Sequence, residues 1–177
     1  MAKMVRQPLA RSAKAAAFGI AMLAMSGCSS MTGAAGNDAA AASGAQSGLE
    51  QVPLTITAGA QTHRFTVEVA ASEAQQSRGL MFRTSIAPDA GMVFPFTPPR
   101  YASFWMKNTL IPLDILFVRA DGSIDRIAEN TVPESLEPVS SGGDVIAVLE
   151  LAGGTAARLN ITESAIVRWP GDRIVPR

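Results

Sequence analysis

The sequence predicts a mostly β domain, a compact β-sandwich or small barrel-like fold with one or two short helices. Three observations predict it. Apolar residues alternate over short runs, as in half-buried strands, rather than recurring at helical spacing. Gly, Pro and Asp-Gly turn signals punctuate the chain at short intervals, which suits many short strands. Helix signals are confined to two brief segments.

The elements follow in order. Residues 52–57 read as a strand, Gly59 marks a turn, and 64–69 alternate with Phe65, Val67 and Val69 on one face. Ser72-Glu73-Ala74-Gln75 is a capping box that opens a short helix, and Gly79 can stop it. Residues 92–94 form a short strand before Pro95, and Pro98-Pro99 is expected to break the chain. Residues 102–108 are expected to be a strand. Residues 115–118 and 123–127 flank Asp121-Gly122, a hairpin signal. Residues 133–143 are expected to be loop. Residues 145–151 are dominated by Val, Ile and Leu, as in a buried strand. Thr155–Leu159 is expected to form one helical turn, and 166–169 and 173–175 to close the sheet.

The chain has 177 residues, with 15 Lys and Arg against 15 Asp and Glu, one His and one Cys. That length fits one domain with a substantial core. A single Cys forbids an intramolecular disulfide, and with a single His it excludes a Cys/His metal site, so no metal or cofactor is expected. The neutral balance hides two unlike parts. Lys3, Arg6, Arg11 and Lys14 precede any acid, and 15–25 is a charge-free, mostly apolar run of 11 residues. A membrane span needs ~20 residues, whereas a secretory h-region does not. The run ends in Met25-Ser26-Gly27-Cys28. This resembles the lipobox of bacterial lipoproteins, with Met in place of the usual Leu. The resemblance implies cleavage before Cys28, its acylation, and a membrane partner held through that lipid. Ser29, where a retained lipoprotein has Asp, implies delivery to the outer membrane on its periplasmic side.

Residues 1–27 are therefore expected to be a signal peptide, and 28–48 a lipidated Cys28 followed by a flexible linker. Residues 29–48 hold seven Ala, four Gly and four Ser among 20. Such a chain has an r.m.s. reach of roughly 25 Å. Residues 49–177 are expected to be the folded domain. Loss of the four leader charges leaves 11 basic residues against 15 acidic, a net charge of −4. That balance argues against a nucleic-acid partner.

Several segments occur in a specific order. Arg78-Gly79-Leu80-Met81-Phe82-Arg83 precedes Gly91-Met92-Val93-Phe94-Pro95-Phe96. Phe104-Trp105-Met106-Lys107-Asn108-Thr109 and Ile111-Pro112-Leu113-Asp114-Ile115 follow. Val148-Leu149-Glu150-Leu151 leads into Ala152-Gly153-Gly154, and Gly171-Asp172-Arg173-Ile174-Val175 closes the chain. Over residues 52–177 this set resembles the DUF192 family, domain of unknown function 192. The resemblance implies a compact β fold with little helix and a secreted or envelope location, and it brings no activity with it. In the family the last segment runs almost directly from an Ile into Gly-Asp. Here residues 162–170 separate Ile161 from Gly171, and Asn160 stands where a Gly is usual.

Strand alternation over 102–109 would put Phe104, Met106 and Asn108 on one face and Trp105, Lys107 and Thr109 on the other. Two arrangements compete. In one, Trp105, Lys107, Thr109 and Asp114 form a small polar pocket rimmed by Arg78 and Arg83. Trp stacks on sugar rings or cations, Lys binds anions as a point charge, and Arg captures carboxylate or phosphate in a fork. In the other, Trp105 is core, Lys107 and Asp114 pair across the turn, and the two Arg complement a helix end and a nearby acid. Met81, Met92 and Met106 are expected to fill core gaps, and His63 to lie at the surface. Asp114 with Glu150 or Asp144 is the carboxylate pair that glycoside chemistry would need.

The expected function is an envelope-anchored domain that binds a small polar or anionic ligand, such as a saccharide or cell-wall fragment. The alternatives are a hydrolase or lyase using Asp114 and Lys107, and a structural or partner-docking module.

Overall fold

In the computed structural model the described residues are 48–172. The signal peptide, Cys28, nearly all of the linker, and the closing strand expected at 173–175 lie outside them.

The chain opens with an antiparallel hairpin, β1 (Gln51–Ala58) against β2 (Gln61–Val69). Helix α1 (Glu73–Arg78) then crosses to β3 (Ala90–Phe104), which runs parallel to β2. The capping box forms as the sequence predicts. Ser72 Oγ accepts from Gln75 N–H at 3.3 Å, and Gln75 Oε1 accepts from Ser72 N–H at 2.8 Å. Gly79 ends the helix at φ 47°, and a Cβ there would lie 3.3 Å from the Phe94 ring. The Asp121-Gly122 hairpin joins β4 (Leu113–Val118) to β5 (Ile124–Ala128). The long β6 (Val139–Ala152), one helical turn α2 (Thr155–Leu159) and β7 (Ile166–Arg168) complete the domain.

The strands form one sheet in the order β5-β4-β6-β3-β2-β1-β7, curled into a half-barrel. The mostly β expectation with two short helices therefore holds. Both faces of the sheet are covered. β4 shows the alternation: Leu116 and Val118 join a cluster with Leu54, Ile56 and Val67, while Leu113, Ile115 and Phe117 join one with Leu80, Phe94 and Met106. The two ends of the strand order also meet. Val167 N–H donates to Gly122 O at 2.9 Å, and Ser123 bridges Ile166.

Three expectations are corrected. Pro98-Pro99 does not break the chain, because β3 continues through it to Phe104. The β3–β6 register shifts between Pro95 and Arg100, so the prolines sit in an irregularity where no ladder N–H is required. The strand expected over 102–108 stops at Phe104. There Met106 N–H turns to Ser135 O and Thr109 N–H to Met106 O, with Asn108 left-handed at φ 56°. The loop expected over 133–143 gives way to strand at Val139, where Val139 and Ser140 pair with Phe104 and Ser103.

Asn160, in place of the usual Gly, caps α2 in the left-handed region at φ 53°, which Asn tolerates. Residues 162–170 contain β7 and the buried Trp169.

Candidate functional site

A cleft of about 390 Å³ opens between α1 with its following loop and the outer part of β3. This volume suits a small ligand. Helix α1 brings Gln76 and Arg78 to it, β3 brings Phe94, Arg100 and Ser103, and the turn after β3 brings Trp105 and Thr109. Glu150 reaches it from β6.

Three of the six residues singled out in the sequence line this cleft: Arg78, Trp105 and Thr109. Trp105 is half exposed, at 51%, so it is not a core residue. Because the strand has ended, strict alternation no longer sets its direction. Lys107 does not line the cleft, but its Nζ lies 5.2 Å from the centroid of the Trp105 ring, within cation–π range. Thr109 is buried, and its hydroxyl donates to Lys107 O at 3.4 Å.

Asp114 and Arg83 do other work. Asp114 has no exposed surface. Its carboxylate accepts from Asn130 N–H at 2.7 Å, Gly154 N–H at 3.0 Å and Ala156 N–H at 2.7 Å. It therefore fastens the start of α2 to β4 and to the loop after β5. Neither the expected pocket role nor the expected Lys107 pairing occurs. Arg83 is buried and forms an ion pair with the buried Glu68 of β2.

Glu150 was not among the residues singled out for the pocket. Its signal was visible, since it is a carboxylate inside an apolar run, and such groups are rarely buried without a reason. It is 5% exposed, and no hydrogen bond joins its side chain to another described residue. Burial pushes its pKa up to about 8, against the opposing pull of the Arg83 guanidinium. At neutral pH it is therefore chiefly a carboxylic acid, able to donate a hydrogen bond into the cleft. Arg100 is the second missed residue. Its guanidinium stacks 4.1 Å from the Phe96 ring centroid and donates to Gln76 Oε1 at 3.4 Å.

The cleft thus combines an indole plate, two guanidinium groups at the rim and an uncharged acid below. Among the described residues no group of three His, Cys, Asp or Glu is placed to hold a metal ion.

The family model DUF192, described as Uncharacterized ACR, matches residues 54–169, a stretch that includes every residue of this cleft. The chain belongs to the DUF192 family. Two solved structures are similar to it. A protein of unknown function from Novosphingobium aromaticivorans DSM 12444 is 46% identical, with a TM-score of 0.69 over 72% of this chain and 91% of that one. A protein from Sinorhizobium meliloti 1021, described as "a putative transcription regulator", is 39% identical, with a TM-score of 0.67 over 68% of this chain and 95% of that one. No curated protein matches the chain.

Proposed function

We propose that this DUF192 protein is a lipid-anchored envelope domain, held through Cys28 at the periplasmic side of the outer membrane, that binds a small polar or anionic ligand. A saccharide or cell-wall fragment bearing a carboxylate or phosphate fits the cleft best. Its ring would stack on Trp105, its anionic group would meet Arg78 and Arg100, and an oxygen would accept from Glu150. The observation that carries this reading is Glu150, a buried acid that opens on a cleft without a described hydrogen-bond partner. Because it opens on the cleft, a ligand oxygen can replace water as the acceptor of its hydrogen bond. The anchor rests on the leader sequence and on Cys28 as the only Cys in the chain.

A hydrolase or lyase built on Asp114 and Lys107 is not part of this reading, because Asp114 is sealed among three N–H donors. Nor is nucleic acid, given the net charge of −4 once the leader is removed.

The deciding experiment is a thermal-shift screen of sugars, uronic acids, amino sugars and peptidoglycan fragments. The wild-type protein is compared with Trp105→Ala and Glu150→Gln. A compound that stabilises the wild type and loses its effect in both variants supports the site. A compound that stabilises all three equally sinks it, as does a screen with no stabiliser.

A further inference from the structure

Beside the cleft, three loops are joined by main-chain hydrogen bonds. Phe82 N–H donates to Asn108 O at 2.8 Å, Met106 N–H to Ser135 O at 3.0 Å, and Glu134 N–H to Thr109 O at 3.0 Å. Each loop holds a non-glycine residue in the left-handed region: Phe82 at φ 65° on the first, Asn108 at φ 56° on the second, and Asn130 at φ 47° with Glu134 at φ 59° on the third. Such conformations are strained for bulky residues and persist only where their surroundings hold them. The loops also expose large apolar side chains. Phe82 is 57% exposed, Trp105 51%, Val132 70% and Leu136 66%, and Leu110 is also exposed. Of the exposed large apolar residues among those described, only Tyr101 lies elsewhere. Exposed large apolar side chains concentrated on three joined loops mark an interaction surface.

We infer that this surface docks on the lipid bilayer to which Cys28 tethers the chain, Phe82, Leu110, Val132 and Leu136 entering the boundary between headgroups and acyl chains while Trp105 lies at headgroup level, still open to the cleft. The inference rests on the anchoring reading above and adds an orientation to it. Twenty residues separate Cys28 from Leu49, so the domain can lie no farther from the lipid surface than that length of chain spans. Leu49 packs on the apolar cluster that contains Leu80 and Met106. Those two residues lie on the first and second of the three loops, so Leu49, near the start of the described residues, packs on the same side of the sheet as these loops. Aromatic residues favour the membrane interface, and a lipid anchor gains stability from a second contact. Charge does not select the partner. Lys107 and Arg78 are balanced by Glu134 and Glu137 on the third loop, so binding through apolar contact should persist at high salt.

The test uses the full chain on vesicles of phosphatidylethanolamine and phosphatidylglycerol with brominated acyl chains. Trp105 fluorescence is expected to be quenched by the bromine, while the buried Trp169, read alone in Trp105→Phe, is not. The double variant Val132→Ser/Leu136→Ser is expected to lose the quenching, with an unchanged melting temperature and unchanged sedimentation with vesicles. Neither residue lines the cleft, so ligand binding stays a separate readout. Failure of the anchor shows separately, as the absence of acyl mass on Cys28. An unquenched Trp105, whether or not the protein sediments with vesicles, overturns the docking. Protection of Trp105 that follows protein density rather than lipid also overturns it, in favour of a second copy of the chain.

Discussion

The Arg83 guanidinium donates to the Glu68 carboxylate, and both side chains are buried, with 10% and 4% of their surface exposed. The pair ties the loop after α1 to β2. It also leaves Glu150, a second carboxylate within reach of the Arg83 field, without an ionic partner of its own among the described residues. One arginine between two buried acids makes them unequal, and the unequal one faces the cleft.

Removing one member of this pair should cost more than removing both. Glu68→Gln or Arg83→Met removes one charge of a buried ion pair, and each is expected to lower stability by about 3–5 kcal/mol. Glu68→Leu/Arg83→Met should recover most of that loss. Urea denaturation of the single and double variants measures the coupling. Additive losses would show that the two side chains act independently.

Glu150 should make stability depend on pH. The fold keeps it protonated up to about pH 8, whereas its ordinary value is 4.5. Between those values the folded chain holds a proton that the unfolded chain has released, so stability falls as pH rises. Below the window both states are protonated, and above it both are ionised. Glu150→Gln lacks this loss. Its urea midpoint should gain on the wild type through the window and then run parallel above it. Midpoints that track each other at every pH would contradict the assignment.

Asp114→Ala should be severely destabilising. It orphans three N–H groups, two of them at the start of α2, and removes a charged acceptor. The expected loss is about 3–5 kcal/mol. Hydrogen exchange should place the fastest new exchange at Asn130, Gly154 and Ala156. A variant with near-wild-type stability would mean that backbone or water replaces the carboxylate without penalty.

Trp105→Ala should leave stability within about 0.5–1 kcal/mol of wild type, because the side chain is half exposed. Ligand response should change far more. A ligand at about 100 times its Kd stabilises by about 2.7 kcal/mol, roughly 5–10 °C in melting temperature for a domain of this size. Differential scanning fluorimetry should register that shift in the wild type and its loss in the variant.

The local signals in the sequence were reliable. The Ser72 capping box, the Asp121-Gly122 hairpin and the single turn at Thr155–Leu159 involve residues a few positions apart, and each forms as read. What was misread depends on distant partners. β3 passes through its prolines because β6 supplies a partner strand on both sides of the irregularity. The turn at Trp105 exists because Ser135, far along the chain, accepts the Met106 N–H. Asp114 reads as a free carboxylate until its partners, 16, 40 and 42 residues away, are brought to it. The candidate site was half legible for the same reason. Trp105, Arg78 and Thr109 were visible as residue types, but the end of β3 that aims Trp105 and Thr109 was not.

The junction of Gly122 with Val167 bears on how this molecule behaves among copies of itself. β5 and β7 are the outermost strands, and an outermost strand with bare N–H and C=O groups invites another chain to add on, the first step toward aggregation. Here the hairpin tip folds against β7 and takes up its Val167 N–H. β7 itself is only three residues long, and β5 carries Asp125 and Arg126. Little adhesive margin is left, so crowding many copies together should leave them as separate molecules rather than seed a growing sheet.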